Sequence, residues 1–116
     1  MEEFKPFTVE RPWGGFRQLN HNSLSTVKIH QIRPNQKNSW QSHTKRSELW
    51  HIISGGGIIL VDDKKYEVVP GDEQGAGVGA KHRWIAGPEG MTLIEVATGD
   101  FDEEDIIRYE DDYGRA

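Results

Sequence analysis

Short apolar runs separated by turn residues are the feature that most constrains the fold of this 116-residue chain. Runs such as TVKIHQI and LWHIIS are followed by clusters rich in Gly, Pro, Asn and Asp. Strands that recur about every 8–12 residues with turn signals between them are typical of an all-β sandwich or barrel. The sequence therefore predicts an all-β fold, and its length fits one domain over residues 1–116.

The apolar runs predict particular strands and turns. We expect strands at FRQL, TVKIHQI and LWHIIS, a hairpin in GGGIILVDDKKYEVV that turns at Asp62–Lys64, and a second in HRWIAGPEGMTLIEVATG that turns at Gly87–Gly90. The segment PGDEQGAGVGA is expected to be a glycine-rich loop, and only DEEDIIRYE has helical character. RPWG predicts a strand end and a tight turn, with Trp13 packed beneath the mouth of the barrel.

Composition and charge exclude several classes of protein. There is no Cys, which excludes a disulfide framework and a thiolate zinc site. No apolar run approaches the roughly 18 residues of a membrane-spanning helix. Net charge is −5, and residues 100–112 hold eight acids and one Arg, so the body is slightly basic and the C-terminal extension is acidic. This distribution argues against a nucleic-acid partner and leaves room for a small anionic ligand. For a chain without Cys, a cytoplasmic protein is the simplest expectation.

Four residues have the types and the spacing of a metal site. Gln41 and His43 are two apart and can point to one face of a strand, Glu48 begins the next strand after a short turn, and His82 opens a later strand. Two imidazoles, one carboxylate and one amide oxygen suit Zn²⁺, with Mn, Fe, Co or Ni as alternatives. We therefore predict a divalent metal ion bound by Gln41, His43, Glu48 and His82.

The two segments that carry these residues resemble the paired motifs of the cupin superfamily. The usual motifs are G-x5-H-x-H-x4-E-x6-G and G-x5-P-x-G-x2-H-x3-N, and every spacing is matched between Asn35 and Gly55 and between Gly71 and Ala86. Asn35 replaces a Gly, which is a mild change because Asn tolerates a left-handed turn, whereas Gln41 replaces the first His. The resemblance implies a double-stranded β-helix, the cupin jelly-roll barrel, with a short acidic C-terminal extension.

A narrower resemblance is to the cupin domain of type II mannose-6-phosphate isomerases, which is often fused behind a mannose-1-phosphate guanylyltransferase. RPWGGF, HTKRSELW, AKHR and DEEDIIRYEDDYGR resemble four motifs of that family in order, so the resemblance covers nearly the whole chain. The family often has His at the positions of Thr44 and Lys45, and smaller aliphatic residues at those of Trp40 and Trp84. No guanylyltransferase segment is present in the 116 residues, so nucleotide transfer is not expected.

The resemblance implies an aldose–ketose isomerase that interconverts mannose 6-phosphate and fructose 6-phosphate with the help of the metal. Arg46, Lys81 and Arg83 flank the ligand segments and are candidates for holding the phosphate, and Trp84 is a candidate for narrowing the pocket or stacking on the sugar. Lys45 is a conceivable base if it is buried, and Arg115 is expected to fold over the mouth and steady the intermediate. The alternatives are a non-catalytic sugar- or metal-binding cupin and a cupin that acts on another small carbohydrate; iron-dependent oxygen chemistry ranks last.

The remaining histidines and the apolar surface complete the predictions. His21, His30 and His51 have no partner pattern and are expected to be structural, and Trp50 is expected to pack in the core. Leu49 and Ile53 point away from Trp50 and Ile52 along one strand. Because barrels of this kind leave open edges, these outward apolar residues predict a homodimer.

Overall fold

Antiparallel β-strands make up the regular structure of the chain. The computed structural model describes residues 4–116, and within that range it contains nine strands and no helix. The strands are β1 (Phe7–Arg11), β2 (Gly14–Gln18), β3 (Ser25–Ile32), β4 (Trp40–Ser42), β5 (Arg46–Val61), β6 (Lys64–Val68), β7 (Glu73–Ala76), β8 (His82–Gly99) and β9 (Ile107–Glu110). The prediction of an all-β fold is confirmed. A helix that could span a membrane is therefore not found within residues 4–116.

The two longest strands organise the barrel. β5 and β8 have 16 and 18 residues and pair with each other along nearly their whole length. The first part of β5 also pairs with β7, and the second part of β8 pairs with β3, which gives the order β3–β8–β5–β7. The second part of β5 pairs with β6, and the first part of β8 pairs with β4. Because β4 also pairs with β9, the order in this half is β9–β4–β8–β5–β6. The same two strands therefore run through both halves of the barrel.

A bulge, and not a hairpin, lies at Gly87–Gly90. The register passes from Gly55 opposite Met91 to Gly57 opposite Ala86, so residues 87–90 of β8 face the single residue Gly56 of β5. Gly55 has a φ of +70°, and a Cβ there would overlap the carbonyl oxygen of Gly90. The predicted second hairpin is wrong, because both arms pair with β5 instead of with each other. Bulges of this kind bend a strand, here from one half of the barrel into the other.

Other local predictions have mixed outcomes. The first hairpin is confirmed, since Val61 pairs with Lys64 around a turn at Asp62 and Asp63. The expected helix in DEEDIIRYE is wrong, because Ile107–Glu110 forms β9 against β4, and strand pairing overrides the weak helical preference of so short a segment. The glycine-rich loop contains β7. Trp13 lies in the turn between β1 and β2 and is 74% exposed, so it does not pack beneath the barrel mouth.

The core lies between the two halves of the barrel. Trp50 in β5 is fully buried, as predicted, and its ring meets that of Trp84 in β8 edge to face at 5.8 Å. The surrounding buried side chains are Ile52, Ile59, Val68, Ala76, Ala86, Met91 and Leu93. Each large apolar side chain buried in this way contributes about 1.5–3 kcal/mol. The inward positions nearest one end of this core are polar, and they form the candidate site.

Candidate metal centre

Three of the four predicted ligand residues converge in the interior. His43 follows β4, Glu48 lies in β5 and His82 opens β8, and all three are buried. One ligand atom from each lies within 4.8 Å of the other two. The fourth residue, Gln41, lies in β4 directly opposite His82. The barrel thus brings together donors from both of its halves.

Hydrogen bonds set the orientation of the two imidazoles. Nδ1 of His43 lies 2.7 Å from the carbonyl oxygen of Asp105, to which it donates, and this leaves Nε2 directed at Oε2 of Glu48, 3.1 Å away. Nδ1 of His82 lies 3.3 Å from the carbonyl oxygen of Ala80, and its Nε2 lies 3.5 Å from Oε1 of Glu48. Backbone acceptors that fix the ring in this way are the usual support of metal-binding histidines.

The Gln41 amide reaches the cluster through its nitrogen in this structure. Nε2 lies 3.5 Å from Nε2 of His82, while Oε1 accepts a hydrogen bond from the Ser39 hydroxyl at 2.8 Å. Coordination through Oε1 requires a half-turn of the amide. The Ser39 hydroxyl tolerates that rotation, because it can accept from Nε2 as well as donate to Oε1.

The Glu48 carboxylate is the electrostatic centre of the cluster. Burial by itself raises the pKa of Glu48, but the hydrogen bond with His43 and the positive charge that His82 and His43 carry when protonated outweigh burial and hold the pKa of Glu48 well below its usual range. Burial lowers the pKa of His82, which favours the neutral imidazole. An ionised carboxylate and a neutral imidazole are the forms that bind a metal. The donor set therefore fits a divalent ion.

Arg46 lies inside the site and not at its rim. Its side chain is 7% exposed, and its guanidinium donates from Nε to Oε2 of Glu48 at 2.9 Å. Its second terminal nitrogen lies 3.3 Å from Nε2 of His43, and the guanidinium stacks on Phe101 at 4.2 Å. The predicted phosphate contact thus belongs to the cluster, where a fixed positive charge partly neutralises Glu48.

The other predicted site residues are divided between the cavity and the outside. Trp84 and Arg115 line the cavity beside the cluster, which has a volume of about 230 Å³. Lys81 is exposed, with its ammonium over the ring of Tyr109 at 4.2 Å, and the buried Arg83 side chain donates to the backbone oxygen of Asn38 and to Glu110. Neither Lys81 nor Arg83 lines the cavity, since residues next to His82 on a strand point to the opposite face.

Lys45 does not meet the condition set for a base. Its side chain is 52% exposed and its ammonium lies 3.9 Å from Asp102. Burial, which that role requires, is absent, and Lys45 is not among the residues that line the cavity. The geometry therefore argues against Lys45 as the base.

A second polar group beside the cluster was not predicted from the sequence. Nε2 of His30 in β3 lies 3.5 Å from Oε2 of the buried Glu95 in β8, and the His30 ring packs on Trp84 at 4.7 Å. Burial raises the pKa of Glu95. The indole Nε1–H of Trp84 is buried and has no acceptor among the described residues. The signal was the inward alternation of β3, which places His30 on the same face as Ile32.

Comparisons with known proteins agree with the fold and with the motif resemblance. Residues 2–111 match the family described as mannose-6-phosphate isomerase C-terminal. The chain is 34% identical over 110 residues to alginate biosynthesis protein AlgA of Pseudomonas aeruginosa, and the match covers 92% of this chain and 23% of that protein. It is 32% identical to mannose-1-phosphate guanylyltransferase of Salmonella montevideo, again with 92% and 23% covered. The chain thus spans about a quarter of the length of these relatives.

The structural comparison concerns the fold alone. Oxalate decarboxylase from Bacillus subtilis superposes with a TM-score of 0.69 at 20% identity, over 75% of this chain and 24% of that one. The predicted jelly-roll barrel is confirmed by this likeness and by the antiparallel topology described above.

Proposed function

We propose, from the premise that this chain belongs to the mannose-6-phosphate isomerase C-terminal family of cupins, that it is a metal-dependent sugar-phosphate isomerase domain. The substrates proposed are mannose 6-phosphate and fructose 6-phosphate. The observation that carries the proposal is the buried convergence of His43, Glu48 and His82 beside a cavity. Zn²⁺ is the ion we propose first, with Mn, Fe, Co and Ni as alternatives. A cytoplasmic location is part of the proposal.

The reaction moves a proton between C1 and C2 of the sugar. A metal held by His43, Glu48, His82 and Gln41 supplies Lewis-acid polarisation of the substrate oxygens when it is bound. Arg46 keeps Glu48 oriented and adds positive charge beside the developing enediolate. His43, Arg46, Glu48 and His82 are buried, and their burial limits the access of water to the reacting carbons in this proposal.

His30 is the base in this proposal. It lines the cavity, it takes no part in the donor cluster, and the Glu95 carboxyl faces its Nε2 at 3.5 Å. Imidazole is the side chain that exchanges protons most readily near neutral pH. His30 accepts the proton from C2 of the aldose and returns it to C1, and the proton of the C2 hydroxyl passes to the C1 oxygen, so that the ketose forms with no net loss of protons.

A second candidate function is a sugar- or metal-binding domain without turnover. The observation in its favour is the contact of the Arg46 guanidinium with both Glu48 and His43. A cation held there opposes a divalent ion and can stabilise the buried carboxylate without one. A domain of that kind, or one that acts on another small carbohydrate, would bind its ligand without forming fructose 6-phosphate.

The two functions are separated by elemental analysis of the purified protein together with a coupled assay for fructose 6-phosphate. Stoichiometric metal with turnover of mannose 6-phosphate supports the isomerase. Metal without turnover supports the binding domain. The absence of metal after purification in metal-supplemented medium contradicts the isomerase, because the donor set would then serve only the fold.

A further inference from the structure

A groove with cationic walls adjoins the candidate metal centre. It has a volume of about 760 Å³, and its lining includes Arg33, Lys37 and Arg115 but no carboxylate of the described residues. His30, Asn38, Trp84 and Arg115 line both the groove and the smaller cavity beside the cluster. A ligand can therefore occupy both spaces, with one end at the cluster and the other in the groove.

The backbone that carries two of these cations is held in place. The segment from Arg33 to Asn38 turns tightly, with the N–H of Gln36 donating to the carbonyl oxygen of Arg33 at 3.0 Å. The N–H of Asn35 donates to Gly87, and the N–H of Ala86 donates to Gln36, so the segment is bonded to β8 at two points. The backbone positions of Arg33 and Lys37 are thus fixed before any ligand arrives, which lowers the part of the entropic cost of binding that comes from ordering the loop.

The three cations of the groove differ in how strongly they are paired with carboxylates of the same chain. Arg33 is exposed and has no carboxylate partner within residues 4–116. Lys37 lies 3.8 Å from Asp112, with both side chains partly exposed, whereas Arg115 is held by Asp111 at 2.8 Å. Exposed pairs such as that of Lys37 are weak and can be exchanged for a ligand.

We infer that this groove is a phosphoryl subsite, in which Arg33 and Lys37, with Arg115 beside them, hold the phosphate of a ligand whose sugar reaches the metal centre. The placement of the sugar at the metal centre rests on the proposed function, whereas the placement of the phosphate rests only on the cations of the groove. It replaces the predicted phosphate contacts, since Arg83 is tied to Glu110 and Lys81 lies outside the cavity. Arginine and lysine are the side chains that bind phosphate oxygens most strongly.

The test is calorimetric titration of the full chain with mannose 6-phosphate, mannose and inorganic phosphate. The variant is Arg33→Gln/Lys37→Gln, and the control is Lys64→Gln/Lys65→Gln, which removes the same charge from exposed positions in β6. We expect the groove variant to bind mannose 6-phosphate and phosphate at least about tenfold more weakly, and the control to match the wild type. The affinity for mannose should be the same in all three proteins.

Three outcomes overturn the inference: equal affinity in the groove variant, equal weakening in both variants, and no binding of any phosphate by the wild type. A nucleoside diphosphate that competes with mannose 6-phosphate and binds more tightly would support the subsite and identify a diphosphate ligand as its source. Because binding and not turnover is measured, an inactive protein that still loses phosphate affinity in the groove variant contradicts the isomerase and supports the subsite.

Discussion

The indole Nε1 of Trp50 donates a hydrogen bond to Oε1 of Glu48 at 3.1 Å. Trp50 follows Glu48 by two residues in β5, so both side chains lie on the inward face of that strand. The other carboxylate oxygen accepts from Arg46, which lies two residues earlier on that face. One strand thus supplies the carboxylate of the cluster and both of the donors that orient it. The arrangement makes the stability of the core and the geometry of the candidate site interdependent.

Replacing Trp50 with Phe tests this dependence. The variant keeps an aromatic ring in the core but removes the donor to Glu48, and we expect it to lower the free energy of unfolding by about 1–3 kcal/mol. The affinity for metal should also fall, because Glu48 loses one of its two fixed partners. Urea unfolding and metal titration measure the two effects. The matched control is Trp13→Phe at an exposed position, and an equal loss in both variants would contradict the assigned role of the hydrogen bond.

His82→Ala tests the cluster directly. We expect the variant to lose bound metal, and the melting temperature of the variant to become insensitive to a chelator. The wild type should lose stability when chelated, by about 2.7 kcal/mol if the free ion is present at a hundred times its Kd. Elemental analysis and thermal unfolding with and without EDTA provide the readouts. His21→Ala, at an exposed histidine, serves as the control, and unchanged metal content in His82→Ala would disprove the four-ligand hypothesis.

The variant Arg46→Gln tests whether Arg46 and a bound metal ion both stabilise the Glu48 carboxylate. Without metal, the variant leaves the buried Glu48 carboxylate without its cation, and we expect a loss of about 3–5 kcal/mol in the free energy of unfolding. With metal bound, the loss should be smaller, since the ion supplies the missing positive charge. Unfolding in urea with and without chelator measures both values. The same loss in the two states would mean that no ion approaches Glu48.

Asp105 gives the site a dependence on acid pH. Its carboxylate accepts from the backbone N–H of Thr44 at 2.9 Å, and this bond, with those from the Thr44 hydroxyl and the Lys45 N–H, lowers the pKa of Asp105 to about 2 from its ordinary value of 3.8. A depressed pKa contributes stability that is present above the ordinary value and is lost as the pH falls from 3.8 towards 2. Asp105→Asn should therefore be less stable than the wild type near neutral pH.

The difference between Asp105→Asn and the wild type should narrow as the pH falls through that window. Chemical unfolding at a series of pH values measures it, with Asp63→Asn in the exposed turn after β5 as the control for the loss of a surface charge. A difference that stays constant down to the acid limit would show that the carboxylate does not act through its charge.

The outward face of the sheet that contains β3, β8 and β5 bears on the predicted homodimer. Val27, Ile29 and Ile53 are exposed there, at 61%, 67% and 46%. We expect a dimer in light scattering at micromolar concentration, and Ile29→Lys should shift it towards the monomer because a charge is placed in an apolar contact. Lys28→Ala, on the inward side of the same strand, is the control. A wild-type monomer would rule out the dimer.

Strand alternation explains which parts of the site were predictable. The convergence of His43, Glu48 and His82 is predictable because a two-residue repeat and the motif spacing act over short stretches of sequence. The same repeat places Arg46 inward with Glu48 and turns Lys81 and Arg83 away from His82, so residues that flank the ligand segments differ in whether they reach the cavity.

Long-range pairing explains the rest. The contact of His30 with Glu95 depends on β3 lying beside β8, and no local pattern gives that register. The glycines at 87–90 have ordinary turn chemistry, but whether they close a hairpin or form a bulge depends on what β5 does opposite them. The segment DEEDIIRYE has a weak helical preference, but part of it forms a strand because it pairs with β4, which is distant in sequence.

The pairing of β5 with β8 also sets the order in which the protein can assemble. Glu48 and His82 lie on strands that meet only after a long intervening segment has closed, and folds dominated by such distant contacts form slowly. An unfolded or half-folded chain cannot present the complete donor set, so an ion can be captured with full affinity only at the end of folding. The rate at which refolding chains take up metal therefore reports the rate at which the barrel closes.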